Sequence, residues 1–174
     1  MSLIEEILSE ENLSEAIKRV KANKGASGID KMTVNQLDAY FYEHKKEIIN
    51  SIMNKTYKPE PVRRVYIPKS NGKLRPLGIP TVVDRVIQQA IAQRLTPIYE
   101  SVFSDYSYGF RPNRDCHTAI NKVLEYLNEG FEWVIDLDIE KYFDTVNHDK
   151  LISILREKVN DSHTLHLIRK FLQA

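Results

Sequence analysis

The chain has 174 residues, 42% hydrophobic and 28% charged, which excludes a disordered or low-complexity chain and predicts one domain or two intimate subdomains with a buried core. No apolar run approaches the roughly 18 residues of a membrane span, and the opening MSLIEEILSEEN lacks the basic stretch and long apolar core of a secretory signal. The net charge of +1 hides two opposite regions: nine basic residues against Glu60 and Asp84 between Lys55 and Arg94, and eight carboxylates against Lys141 alone between Glu125 and Asp149, a split that points to a polyanionic partner and a cation respectively.

In chain order, Leu3, Ile4, Ile7 and Leu8 form one apolar face, and Leu13, Ala16, Ile17 and Val20 a second, predicting short helices ended by Gly25. The glycines of KGASGID make a loop. Thr33 and Gln36 form a capping box for a helix whose core face runs through Val34, Leu37, Phe41, Ile48 and Ile52 and fades near Lys55. Pro59 and Pro61 stop helix formation. VRRVYIP and KLRPLGIP flank Ser70-Asn71-Gly72, which predicts a β-hairpin carrying the densest basic cluster. Pro68 and Pro76 mark both strands as edges.

A helix resumes at Thr81 with Asp84 as capping partner. It is apolar around much of its girth, through Val82, Val86, Ile87, Ala90, Ile91 and Leu95, and Pro97 is expected to break or kink it. The tyrosine-rich loop SDYSYGFRPNRD leads into a helix with Ala119, Ile120, Val123, Leu124 and Leu127 on one face, closing at Gly130. Its Cys116 is the single cysteine, which excludes an internal disulfide and fits a reducing cytoplasm. Residues 132–139 read as a strand and the remainder as helix, so the order of elements is α+β.

The segment from Trp133 to Glu140 alternates strictly: Trp133, Ile135, Leu137 and Ile139 are apolar, while Asp136, Asp138 and Glu140 fill three of the four even positions. A strand period of two sends Ile135, Leu137 and Ile139 into a core and sets the acids on the other face, neighbours roughly 6.6–7 Å apart. Carboxylates so close repel, and an oxygen-preferring divalent cation such as Mg²⁺ relieves that repulsion. From this strand alone, a solvated acidic face explains the pattern at least as well. The adjoining Tyr142 and Phe143, and a basic hairpin suited to phosphates, weigh against it.

Asp136-Leu137-Asp138-Ile139-Glu140-Lys141-Tyr142-Phe143-Asp144-Thr145-Val146-Asn147-His148 closely resembles the first palm motif of group II intron reverse transcriptases. The run from Tyr66 to Pro80 resembles their fingertip block, Tyr108 to Arg114 with His117 and Ala119 the intervening block, and the stretch ending in KGASGID the extension ahead of the fingers. These blocks stand in the family's order across nearly the whole chain.

The resemblance implies helix-rich fingers with a β-hairpin fingertip plus the first part of a polymerase palm. It divides the chain into an extension at 1–32, fingers at 33–107 with the hairpin at 62–79, and the remaining fingers helix and first palm segment at 108–174. By motif position, Asp138 is the catalytic palm aspartate, which with the backbone carbonyl of Ile139 ligates Mg²⁺. Phe143 matches the gate that rejects a ribose 2′-hydroxyl, and Lys69 and Arg75 match the pair that grips the incoming triphosphate. Arg63, Arg64 and Arg111 are template contacts or salt-bridge partners. For His117 and His148, packing or capping is the expected role, and Asp144 is expected to fix the turn after the strand.

The implied activity is RNA-directed DNA polymerisation with two Mg²⁺ ions, in the cytoplasm and with no membrane. The implied partners are group II intron RNA, an RNA template with a DNA primer, and deoxynucleoside triphosphates. The family's Tyr-x-Asp-Asp palm turn does not occur in the sequence, so the chain reads as a truncated piece that does not polymerise alone. Uncovered apolar surface favours association, with a homodimer as one expectation. The other readings are a non-catalytic RNA-docking and dimerisation module, another reverse transcriptase class such as a retron or diversity-generating enzyme, and an unrelated metal-dependent nuclease. The last leaves the fingertip block unexplained.

Overall fold

Apolar residues spaced for helices become helices here, and the two halves of the basic stretch become a hairpin. The computed structural model describes residues 1–68, 70 and 72–174. Its elements are α1 (Leu3–Ile7), α2 (Glu10–Ala22), a single 3₁₀ turn (Val34–Gln36) running into α3 (Leu37–Met53), β1 (Arg63–Pro68), β2 (Leu74–Ile79), α4 (Val82–Glu100), α5 (Cys116–Asn128), α6 (Tyr142–Thr145), α7 (His148–Arg156) and α8 (Ser162–Leu172). The architecture is α+β, with β1 and β2 paired antiparallel.

The chain packs as two units, residues 1–95 with 147–174 and residues 96–146, with the boundary inside α4. In the first unit, the core joins Ile4 and Ile7 of α1, Leu13, Ala16 and Val20 of α2, Leu37, Phe41, Ile48 and Ile52 of α3, the Val82, Val86, Ile87 and Ala90 face of α4, and Leu167 of α8. Each such side chain contributes about 1.5–3 kcal/mol when fully buried. The Thr33–Gln36 box forms as the spacing predicts: the Gln36 side chain accepts the Thr33 N–H at 2.9 Å. Pro97 does not end α4, which continues to Glu100. It lies one turn from the C-terminus, where the missing N–H costs a single helical bond.

Two polar side chains tie this core together, while the buried Thr164 hydroxyl has no partner among the described residues. Asn12, 3% exposed, donates from Nδ2 to the carbonyls of Ile7 and Ala90 at 2.8 and 3.0 Å, and its Oδ1 accepts from Gln93 at 2.9 Å. The bend between α1 and α2 is thereby fastened to α4. Asp161 joins the two ends of the chain. Its Oδ1 caps α8 by accepting the N–H groups of His163 and Thr164, and its Oδ2 accepts the N–H of Ile4 at 2.9 Å.

The second unit has little apolar interior, and Arg111 is its one buried residue. The guanidinium donates to Glu100 Oε1 at 3.0 and 2.7 Å and to the carbonyls of Ser104 and Ser107 at 2.6 and 2.9 Å. Arg111 thus forms an ion pair with Glu100 at the end of α4, with its remaining donors turned to the carbonyls of its own loop. A further correction concerns residues 132–139, which form no strand. A strand exists through its ladder, and among the described residues β1 and β2 pair only with each other.

Two substitutions test these anchors. Burial opposes the charged form of Asp161, yet the N–H groups of Ile4, Thr164 and His163 together hold its carboxyl below the usual range. A carboxyl depressed in the folded state stabilises above the unfolded pKa of about 3.9, and that contribution is lost as pH falls below it. Asp161→Ala should cost about 1–2 kcal/mol near neutrality and flatten the acid limb of stability, as read by urea unfolding at a series of pH values. Arg111→Ala should cost up to about 3 kcal/mol by stranding Glu100 and speed limited proteolysis between residues 100 and 111. Arg111→Lys should not rescue it, since one ammonium cannot reach three acceptors fixed by a planar fork.

Candidate active site and nucleic-acid interface

The hairpin stands on a polar base. Thr81 caps α4, its Oγ1 accepting the Asp84 N–H at 3.1 Å and donating to Asp84 Oδ2 at 2.7 Å. Asp84, 2% exposed, also accepts the Tyr57 hydroxyl at 2.7 Å and the Glu60 N–H at 3.1 Å. The chain entering β1 and the chain leaving β2 are thus held by one carboxylate. Burial and the neighbouring Asp84 charge push the Tyr57 phenol far above its ordinary range, so it stays a donor. The KGASGID loop closes over the same base: a Cβ on Gly28 would lie 2.6 Å from Thr81 Cα and 2.8 Å from its nitrogen, so only glycine fits. Arg85 holds the loop by donating to the Ala26 carbonyl at 2.7 Å. The sequence reading found Asp84 only as a cap. Tyr57 was missed, and nothing in its local pattern marks it.

The register sorts the hairpin's arginines by face. Arg63 pairs with Ile79, Arg64 with Gly78 and Ile67 with Arg75. Directly opposed residues share a face and successive residues alternate. Arg63 and Arg75 therefore lie on one face with Val65 and Ile67, while Arg64 lies on the other with Tyr66. Arg64 and Arg75 are exposed and Arg63 is half-buried. Neither Arg64 nor Arg75 enters an ion pair among the described residues. Gly72 turns the hairpin with φ +77°, a conformation glycine adopts without strain. Lys69 lies outside the described residues.

The carboxylate segment has no regular secondary structure and no strand partner among the described residues. Instead of entering a core, Ile135, Leu137 and Ile139 are 85%, 89% and 66% exposed, and Asp136, Asp138 and Glu140 are exposed as well. The alternation is present without the sheet that would give it an inside. The segment ends at Lys141, whose left-handed φ of 50° starts α6, and the Thr145 hydroxyl donates back to the Lys141 carbonyl at 3.0 Å. This turn presents Phe143, 84% exposed, five residues beyond Asp138. Among the described residues, no three His, Cys, Asp or Glu side chains gather closely enough to hold a metal. Asp138 and the Ile139 carbonyl are nevertheless hard oxygen donors, the kind Mg²⁺ prefers.

The remaining candidates take structural places. Asp115 caps α5 by accepting the Thr118 N–H at 2.8 Å, Asn147 caps α7, and His117 and Cys116 are exposed in the first turn of α5. No helix among the described residues is long and apolar enough to cross a membrane.

Residues 67–174 match the family model described as reverse transcriptase (RNA-dependent DNA polymerase). The chain is 40% identical over 178 residues to Protein YkfC of Escherichia coli (strain K12), an alignment covering 99% of this chain and 47% of that protein. It is 44% identical over 162 residues to the group II intron-encoded protein LtrA of Lactococcus lactis subsp. cremoris, covering 91% of this chain and 26% of the relative. It is also 35% identical over 161 residues to the putative COX1/OXI3 intron 2 protein of Saccharomyces cerevisiae, covering 91% and 18%. The chain thus spans less than half the length of each of these relatives. With its fingertip block and palm motif inside the matched stretch, the chain belongs to the reverse transcriptase (RNA-dependent DNA polymerase) family.

Proposed function

We propose that this chain supplies the fingers and first palm segment of a group II intron type of RNA-directed DNA polymerase, acting in the cytoplasm on an RNA template with a DNA primer and binding intron RNA. In this reading residues 1–32 are the extension, 33–107 the fingers, and 108–174 the remaining fingers helix with the first palm segment. The observation that carries it is the presentation of Asp138, Ile139 and Phe143 on an exposed segment and turn, inside a motif whose family match spans residues 67–174.

The chemistry fits these residue types. Asp138 and the Ile139 carbonyl would hold Mg²⁺, which when bound supplies charge neutralisation at the attacking and leaving oxygens. Phe143 puts a rigid apolar ring where a ribose 2′-hydroxyl would need room and hydrogen bonds. Arg75 and Lys69 neutralise and orient the incoming triphosphate, which is most of what a protein contributes to phosphoryl transfer. Arg64 and Arg63 serve as phosphate contacts, now on opposite faces of the hairpin, so they engage different strands or different turns of the RNA. Further palm acids complete the metal site, so these 174 residues by themselves are not expected to extend a primer.

In a polypeptide carrying this chain together with a Tyr-x-Asp-Asp palm hairpin, Asp138→Ala should lower primer extension at least about a thousandfold, since a lost metal ligand forfeits several kcal/mol of transition-state stabilisation. The fold should survive, because Asp138 lies on an exposed segment. Asp136→Ala is the matched control. Wild-type rates in both variants would sink the polymerase reading, and loss in Asp136→Ala alone would move the ligand by one strand repeat. Separately, RNA binding by the chain should weaken as salt rises, and Arg63→Glu with Arg64→Glu should weaken it further. Binding indifferent to both changes would remove the hairpin from the interface.

A further inference from the structure

A second basic site lies in the first unit, outside the hairpin. The C-terminal end of α3, α7 and the start of α8 enclose a cleft of about 330 Å³, at the small end of ligand pockets. Its walls carry Lys55, Arg156 and Arg169, with His166, Ser162 and Asn160 between them. The one acid on the wall, Asp161, has its oxygens committed to the N–H groups of Ile4, His163 and Thr164. Among the described residues, Arg156 enters no ion pair and the buried His166 Nε2 has no hydrogen-bond partner. Arg169 is held by Asp149 at 2.6 Å, through a carboxylate that is itself mostly in water.

Lys55 is the most telling member. It follows α3 with φ +59°, a left-handed position where glycine is favoured and a side chain is strained. That strained residue brings its ammonium to the Ser162 hydroxyl, 3.5 Å away, at the mouth of the cleft. Three permanent cations, a hydroxyl and an amide converging on one small cavity make a donor set for a phosphate oxyanion. Lys55 also begins the stretch of chain that carries Lys58 and then Arg63 and Arg64 of β1, so one short, mostly basic segment joins the cleft to the hairpin. An isolated free anion has no use for such a track, whereas a polyanionic backbone does.

We propose that this cleft is a phosphate-binding site that takes a phosphodiester of a nucleic-acid backbone, separate from the hairpin contacts. Its test reads binding alone and does not depend on the chain being part of a polymerase. Lys55→Gly is the informative variant, because it removes the charge while relieving the left-handed strain, so its melting temperature should equal or exceed that of the wild type. Combined with Arg156→Ala, it should weaken binding of a fluorescently labelled RNA hairpin about tenfold and reduce the slope of log affinity against log salt by about one to two. The hairpin pair Arg63→Glu with Arg64→Glu is measured in parallel. Loss in the hairpin pair alone overturns the cleft proposal and leaves the hairpin reading standing. Loss in the cleft pair alone does the reverse. Inorganic phosphate, followed by thermal shift, tests the other source of the same chemistry. If the cleft pair abolishes phosphate stabilisation but leaves RNA affinity and salt slope unchanged, the backbone assignment is wrong.

Discussion

Asp84 is a carboxylate with almost no access to water, and its hydrogen-bond donors among the described residues are all neutral. Burying such a charge is costly unless hydrogen bonds replace its hydration. Here the Tyr57 hydroxyl, the Glu60 N–H and the Thr81 hydroxyl do so, at the N-terminal turn of α4 where the helix dipole favours a negative group. Each bond to a charged acceptor contributes about 1.5–3 kcal/mol. Because the donors come from the two ends of the hairpin, the hydrogen bonds that hold the Asp84 side chain also fix where β1 starts and β2 stops. The hairpin has no hydrophobic core of its own and is exposed over most of its length, so its placement rests on this base and on the KGASGID loop packed against Thr81.

The two charged regions of the sequence are held in different ways. The basic one is built: its arginines sit on paired strands with a fixed register and alternate between faces. The acidic one is presented on backbone without a ladder. A basic surface can be completed by local pairing, since a hairpin satisfies its own inner hydrogen bonds. A row of acids on an inner strand needs neighbouring strands, because neither its backbone nor its apolar side can be satisfied locally.

This difference also decides what could be read from the amino-acid order. Helices α2, α3 and α4, the Thr33 box, the Thr81 cap and the Asn-Gly hairpin were legible because each depends on residues within a few positions of one another. The strand at 132–139 was misread because alternation reports the side chains' preference for two environments, not whether a partner provides them. The pairing of Arg111 with Glu100, Ser104 and Ser107 was not legible in the loop, because it depends on how the chain turns back on the end of α4. The Asp84 network reaches across 27 positions to Tyr57 and the cleft at Lys55 across as many as 114 to Arg169, beyond the reach of any local pattern. The family motifs did reach further than periodicity, since the fingertip block from Ile67 on, the intervening block and the palm motif fall in the stretch matched at 67–174.

The exposed run Trp133-Val134-Ile135-Asp136-Leu137-Asp138-Ile139 has a consequence for the behaviour of the chain in solution. An unpaired, strongly apolar segment is a template for stacking against copies of itself. In register, parallel stacking would set Asp136 on Asp136 and Asp138 on Asp138, and like charges directly opposed are destabilising. The repulsion of such opposed acids works against stacking of this exposed stretch on itself. A divalent cation shared between opposed carboxylates would cancel that repulsion, so the ion best suited to this segment is also the one that would license its aggregation.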